Sequence, residues 1–362
     1  MENLTIIKIG TNVIIDNNQA VRKDLLEEFF GTILSRTKMG EKFIVIASGS
    51  VALGRKETNN PGLEKALAAG IGQPILMQYF REAGKKYNFQ IAELLLSRPH
   101  LVKRREFLSL QTKIENFLTH PDFILVVNEN DFLVNGTDWG FGDNDSLAGA
   151  LAVALSAKKL LIVSSIDGLY QDGKVGDKKS LLNEIEDVNA ELMKFCRSDI
   201  STHGTGGMIS KLKVARLCRA VCIETQIISG LKSGNLELAL AGNKIGTKFL
   251  THKSCQVLKN RDRWILSAKT SAASIMVDNG AVLALQKGTS LLAVGIKNIF
   301  GSFENGDLVE LLNENKESIA IGVVDLSSVE LQKNDFKKQR GVQVMHADNI
   351  MVLSPNPESP KG

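Results

Sequence analysis

Over about the first 250 residues, short β-branched runs alternate with longer stretches in which apolar residues recur every three or four positions. The runs Leu4–Ile9, Phe43–Ala47, Gln90–Leu96, Phe123–Val127, Leu160–Ser164 and Thr225–Ile228 predict strands. The stretches Arg22–Thr37, Leu63–Tyr87, Arg104–Leu118, Ser146–Ala157 and Gly207–Cys222 predict helices. Strands alternating with helices of that length form a mostly parallel sheet covered on both faces, an α/β three-layer sandwich. Ligands of such sheets bind beyond the carboxyl ends of the strands, so the chemistry is expected just after each strand.

The rhythm breaks at Gly242–Asn260, a polar, Gly-bearing segment that reads as a linker. Short β-like runs follow at Trp264–Leu266, Ile275–Val277, Leu308–Leu312, Ile319–Val324, Val342–Met345 and Ile350–Leu353. Turn signals such as Asp278-Asn279-Gly280 and Glu304-Asn305-Gly306-Asp307 separate them, which predicts a second, small, β-rich domain. The Pro-bearing end, Ser354–Gly362, is expected to be a disordered tail.

Composition narrows the class. A chain of 362 residues with 43% hydrophobic and 23% charged residues is an ordinary globular protein of two or three domains, not a disordered or collagen-like one. The net charge of +4 lacks the strongly basic signature of a nucleic-acid binder, though local patches remain. Four cysteines, Cys196, Cys218, Cys222 and Cys255, are too few for a disulfide scaffold and read as buried, reduced thiols, with Cys218 and Cys222 on one helix face. No Cys and His set has zinc spacing. The opening residues carry no basic leader or cleavage site, and the longest apolar stretch, Leu147–Ala157, is too short to span a bilayer. A cytoplasmic protein without a membrane partner is expected.

The strand ends carry the candidate chemistry. Lys8 lies inside the apolar run Ile6-Ile7-Lys8-Ile9-Gly10, where an ammonium needs an anion; it is either aimed at a phosphate or an edge lysine snorkelling to water. Ala47-Ser48-Gly49-Ser50 is either an anion-binding turn or a plain strand-to-helix turn. Asn128-Glu129-Asn130-Asp131 and Gly142-Asp143-Asn144-Asp145 bring more polar side chains than one helix cap needs, lack EF-hand spacing, and suit a polar substrate carrying an amine. His203-Gly204-Thr205-Gly206-Gly207-Met208-Ile209-Ser210-Lys211 has the glycines, hydroxyl and lysine of a phosphate cradle, with neither Walker nor dinucleotide spacing; a solvated helical Lys211 is the alternative.

Together these motifs, with Lys8-Ile9-Gly10-Thr11 at their head, resemble the glutamate 5-kinase family of the amino-acid kinase superfamily. Asn260-Arg261-Asp262-Arg263-Trp264-Ile265, Val277-Asp278-Asn279-Gly280-Ala281 and Gly288-Thr289-Ser290-Leu291-Leu292 resemble that family's C-terminal PUA domain. The resemblance implies an amino-acid kinase domain over residues 1–252, a linker over 253–262, a PUA-like domain over 263–353 and a tail over 354–362. It implies ATP-dependent phosphorylation of the L-glutamate γ-carboxylate, the first step of proline biosynthesis, with Mg2+ brought by the nucleotide. Lys8, Lys211 and Asp145 would be catalytic, Asp145 orienting the two lysines. Ser48, Asp131 and Asn144 would hold glutamate. Lys8, Ser164, Ser165, Thr205, Gly206, Gly207, Met208 and Lys211 would line the ATP site, and no residue is assigned to a metal. Where the family has Thr-Asp before Ile-Asp-Gly-Leu-Tyr, this chain has Ser164-Ser165, so one carboxylate near the nucleotide is missing.

The same resemblance implies proline as a feedback inhibitor and a homo-oligomer, dimer or tetramer. Two rivals stand beside it: a kinase of the superfamily acting on another small carboxylate, and an RNA-binding PUA protein with a degenerate kinase domain. For the second, Lys259, Arg261 and Arg263 with Lys337, Lys338 and Arg340 are the basic clusters to examine.

Overall fold

The computed structural model of the chain describes residues 3–134, 140–171, 176, 180–188, 192, 207–251, 255, 258–268, 273–333 and 341–353. The chain divides into two units, one of residues 1–98 and 108–258, the other of residues 99–107 and 259–362.

The first unit is built on eight strands: β1 (Leu4–Ile9), β2 (Lys42–Ile46), β3 (Gln90–Leu96), β4 (Phe123–Glu129), β5 (Lys159–Ser164), β6 (Glu184–Ile185), β7 (Glu224–Ser229) and β8 (Thr247–Phe249). Their order is β3-β4-β2-β1-β5-β7-β8-β6, parallel except that β8 runs antiparallel to β7 and takes β6 with it. The segment expected to be a linker from Gly242 therefore contributes a sheet strand, β8. Strand β1 is buried along its whole length, since it pairs with β2 on one side and β5 on the other. Side chains alternate across it. Ile7 and Ile9 enter a core with Phe29 and Phe30 of α2 (Lys23–Thr37) and Phe80 of α4 (Lys65–Lys85). Lys8 points the other way, toward α7 (Asn144–Ala154). The edge-lysine alternative for Lys8 fails, because β1 is central and Lys8 is buried.

Two helix crossings are unusually close, and glycines permit them. A Cβ on Gly54 of α3 (Ser50–Glu57) would stand 1.9 Å from the Ala68 carbonyl oxygen of α4, and one on Gly72 of α4 would stand 1.8 Å from the Ser50 carbonyl oxygen. A Cβ on Gly149 of α7 would stand 2.8 Å from Val214 of α8 (Met208–Ala220). Helix α8 stops at Ala220, two residues short of the expected end, and Cys222 takes a left-handed φ of 64°. That turn removes Cys222 from the face of Cys218. Instead of four reduced thiols, the chain holds a Cys222–Cys255 disulfide and a buried free Cys218; Cys196 lies outside the described residues.

The second unit carries the five-stranded sheet β11-β9-β12-β13-β15, with β9 (Ser274–Val277), β11 (Ile296–Phe300), β12 (Leu308–Leu312), β13 (Ser318–Val323) and β15 (Ile350–Val352), and the pair β10 (Leu291–Leu292) and β14 (Gln343–Met345). Ile275, Val277, Val309, Leu311 and Met345 are among its core residues. Trp264–Leu266, read as strand, is instead the interior of a helix, Asn260–Ser267. An apolar run this short fits either state, and packing decides: Trp264 Nε1 donates to the Val102 carbonyl at 2.9 Å and the Arg104 guanidinium lies 5.0 Å from its ring centroid. Of the basic clusters, Arg261 is engaged by its own chain, donating to the Asp348 carbonyl at 2.7 Å and pairing with Asp262. Lys337, Lys338, Arg340 and the tail from Ser354 lie outside the described residues. No helix among the described residues is long and apolar enough to cross a membrane.

Candidate active site

The carboxyl ends of β1, β2 and β4 converge with the N-termini of α7 and α8, and two polar clusters form there. In the first, Lys8 Nζ lies 2.7 Å from Asp145 Oδ1 and Lys211 Nζ lies 2.9 Å from Asp145 Oδ2. Asp145 is fully buried and both lysines are nearly so. Burial alone would push the Asp145 carboxyl up; the Lys8 and Lys211 ammoniums outweigh it and hold the group below the usual aspartate range. One carboxylate between two ammoniums leaves a net positive charge at the end of a central strand, which suits an anion. Helix α8 adds its positive end, and its N-cap, Gly207, supplies no side-chain cap.

In the second cluster, Asn144 Nδ2 faces three acceptors: the Ala47 carbonyl at 2.7 Å, Ser48 Oγ at 2.9 Å and Asn128 Oδ1 at 2.9 Å. Asn128 Nδ2 donates to Gln73 Oε1 on α4 at 2.8 Å. Asn144 Oδ1 is sealed from solvent and has no hydrogen-bond partner among the described residues. An orphaned buried acceptor suits a ligand's ammonium or amide hydrogen. Asp143 joins the clusters: it caps α7 by accepting from the Ser146 N–H at 2.7 Å, and it accepts from Ser210 Oγ of α8 at 2.6 Å.

The remaining expected residues are placed less centrally. Asp131 makes none of these contacts; its Oδ1 pairs with Lys65 Nζ at 2.7 Å. Ser164 ends β5, its carbonyl accepting from the Gly230 N–H at 2.8 Å, and Ser165 beyond it is exposed. Met208 opens α8. Thr205 and Gly206 lie outside the described residues. Sequence reading missed Gln73 as a partner of Asn128 and Lys65 as the partner of Asp131. A glutamine on the buried face of an apolar helix was the available signal for Gln73; an isolated surface lysine gave none. Glu129 was also passed over. It accepts from the Phe141 N–H, and burial pushes its carboxyl up against that bond. Beside it, Arg98 donates to the Gly140 carbonyl at 2.9 Å and lies over the Phe141 ring, so the base of the loop between β4 and α7 is pinned from two sides.

Residues 3–229 match the model of the amino acid kinase family, and residues 273–347 match that of the PUA domain. The chain belongs to the amino acid kinase family. Its relatives include the glutamate 5-kinase of Pelagibacter ubique, 34% identical over 91% of this chain and 90% of that protein. Glutamate 5-kinase 2 of Pseudoalteromonas translucida is 30% identical over 97% and 99%, and the glutamate 5-kinase of Geobacter metallireducens is 31% identical over 96% and 97%. In solved structures the fold is shared by the carbamate kinase of Giardia lamblia bound to AMP-PNP, at 16% identity and a TM-score of 0.50 over 69% of this chain and 98% of that one. This amino acid kinase is thus an enzyme with the family's mostly parallel sheet and a separate β-rich PUA region.

Proposed function

We propose that this kinase transfers the γ-phosphoryl group of MgATP to the γ-carboxylate of L-glutamate, giving glutamyl 5-phosphate and ADP, the first step of proline biosynthesis. A γ-carboxylate oxygen forms the new bond to phosphorus as the bond to the β-phosphate oxygen breaks, and ADP leaves. A γ-carboxylate has a pKa of about 4.3, so it is already ionised at neutral pH and needs no general base. Catalysis then consists of aligning two anions and neutralising the charge that develops between them. The observation that carries the reading is the Lys8–Asp145–Lys211 cluster set beside the Ser48–Asn144–Asn128 cluster.

In this reading Lys8 and Lys211 take the phosphate oxygens, Asp145 holds the lysines in place, and the N-terminus of α8 with Gly207 and Met208 receives the nucleotide phosphates. Ser164 and Ser165 border that site. Asn144, Ser48 and Asp131 take glutamate, with the Asn144 Oδ1 acceptor toward its ammonium. Magnesium would arrive with the nucleotide, because it favours substrate phosphate oxygens and retained waters over a dedicated all-protein cage. A cytoplasmic location follows from these substrates; the Cys222–Cys255 disulfide is the observation that points the other way, because cytosolic thiols are kept reduced.

The test is ADP release with MgATP across L-glutamate, N-acetylglutamate, aspartate, carbamate and UMP, with and without L-proline. Turnover with glutamate at the highest kcat/KM is expected. Preference for another acceptor, or no turnover with glutamate, overturns the reading, and lack of any effect of proline removes feedback inhibition from it.

A further inference from the structure

We propose that Lys65 is a specificity-determining residue of the acceptor site, which holds the α-carboxylate of the amino-acid substrate while Asp131 holds its ammonium. The proposal rests on the glutamate reading above. It starts from a charge shortage. Ser48, Asn128, Asn144 and Gln73 are neutral and Asp131 is anionic, while Lys8 and Lys211 flank the buried Asp145 and in that reading serve the phosphate oxygens. An α-amino acid brings an ammonium and a carboxylate on one carbon, and its carboxylate needs a cation.

Lys65 supplies one. Its Nζ lies 2.7 Å from Asp131 Oδ1, and its side chain is 51% exposed against 12% for Asp131. The pair therefore presents a held anion next to a cation with room to move, the charge complement of a zwitterionic carbon. Its place in the helix also argues against a purely structural lysine. Lys65 is the first residue of α4, where the helix dipole disfavours a cation, and the first turn holds no acidic residue. Helix α4 is fixed at this end by the backbone contacts at Gly54 and Gly72, and it reaches the acceptor cluster again through Gln73 and Asn128. The helix that carries Lys65 is thus part of the wall of the acceptor site, not a neighbour of it.

Isoglutamine, which keeps the ammonium and the γ-carboxylate but has a neutral α-carboxamide, separates this role from that of a mere counter-ion to Asp131. The full chain should prefer L-glutamate over L-isoglutamine by tenfold or more in kcat/KM. Lys65→Gln should raise the glutamate KM tenfold or more, with kcat and the KM for ATP within about twofold of the parent, and should abolish the preference by lowering glutamate alone. Lys65→Arg should restore much of it. If Lys65→Gln lowers glutamate and isoglutamine by the same factor, or leaves the glutamate KM unchanged, Lys65 is only a counter-ion and the proposal falls. No turnover of glutamate by the parent chain would instead sink the functional reading, and this proposal with it.

Discussion

At the scale of single residues, the chain concentrates its stakes on Asp145. A carboxylate with no solvent exposure is tolerated because two ammoniums lie within 2.9 Å, and neutralising Asp145 would leave both buried ammoniums uncompensated, a change that costs about 3–5 kcal/mol in comparable clusters. Lys8→Ala or Lys211→Ala should lower kcat on the order of 10²–10³-fold by removing charge stabilisation from the transition state. Asp145→Asn should also lower kcat, by letting the lysines drift. In the proposed function the three act as one unit, so the Lys8→Ala, Asp145→Asn double variant should be little worse than the worse single one in single-turnover assays; fully multiplicative losses would show that Asp145 acts independently. Stability carries the same signature. Asp145 is held below the usual aspartate range, so its contribution is present above an unfolded-state value of about 3.9 and is lost as pH falls through the lower folded value. Urea unfolding from pH 7 downward should show an acid limb that Asp145→Asn flattens. A limb of the same slope in both chains would place the acid sensitivity elsewhere.

At the scale of elements, backbone contacts between helices set the site. Helices α3 and α4 touch through Gly54 and Gly72, so the helix that follows the Ser48 turn lies in backbone contact with the helix that carries Lys65 and Gln73. Gly72→Ala would place a methyl group 1.8 Å from a carbonyl oxygen, against rigid backbone rather than a side chain able to swing away. Overpacking of this kind typically costs about 1–3 kcal/mol. The expected result is a lower urea midpoint together with a raised glutamate KM and an unchanged KM for ATP. An unchanged midpoint would mean that the helices separate freely, and the shared-wall account of the acceptor site would fail. Helices α7 and α8 meet where Gly149 admits the Val214 side chain, and their N-terminal ends are linked by the Asp143–Ser210 bond, which brings Lys211 to Asp145.

At the scale of the whole molecule, the division of the chain does not follow its linear order. Residues 99–107 interrupt the kinase unit in sequence and belong to the second unit, where Val102 and Arg104 engage Trp264. The second unit carries none of the residues assigned to phosphoryl transfer. A chain ended after Leu258 should therefore keep measurable kinase activity, yet melt at a lower temperature than the full chain, because Leu101 and Phe107, both fully buried, lose their packing partners. A folded, soluble truncation with no activity would assign the second unit a part in catalysis.

The amino-acid sequence by itself determined the alternation of strands and helices in the first unit, because a strand buried on both faces and a helix with one apolar stripe leave different periods in the chain. Strands Leu4–Ile9 and Gln90–Leu96 are legible to the residue, and with them the strand ends where polar motifs collect. Local pattern stops where two states share one pattern: Trp264–Leu266 is apolar enough for strand or helix, and Thr247–Phe249 is too short to show a period. The family resemblance put Asp145 between Lys8 and Lys211, whereas the Lys65–Asp131 pair and the packing that brings each set of charges together came only from the tertiary structure. Lys8 and Lys211 come to one carboxylate because β1 is central and because Gly149 lets α7 and α8 close; Lys65 faces Asp131 because Gly54 and Gly72 let α4 lie against α3. A lone lysine in a sequence reads as solvated surface, since its cost or benefit depends on a partner that the chain brings near only by folding.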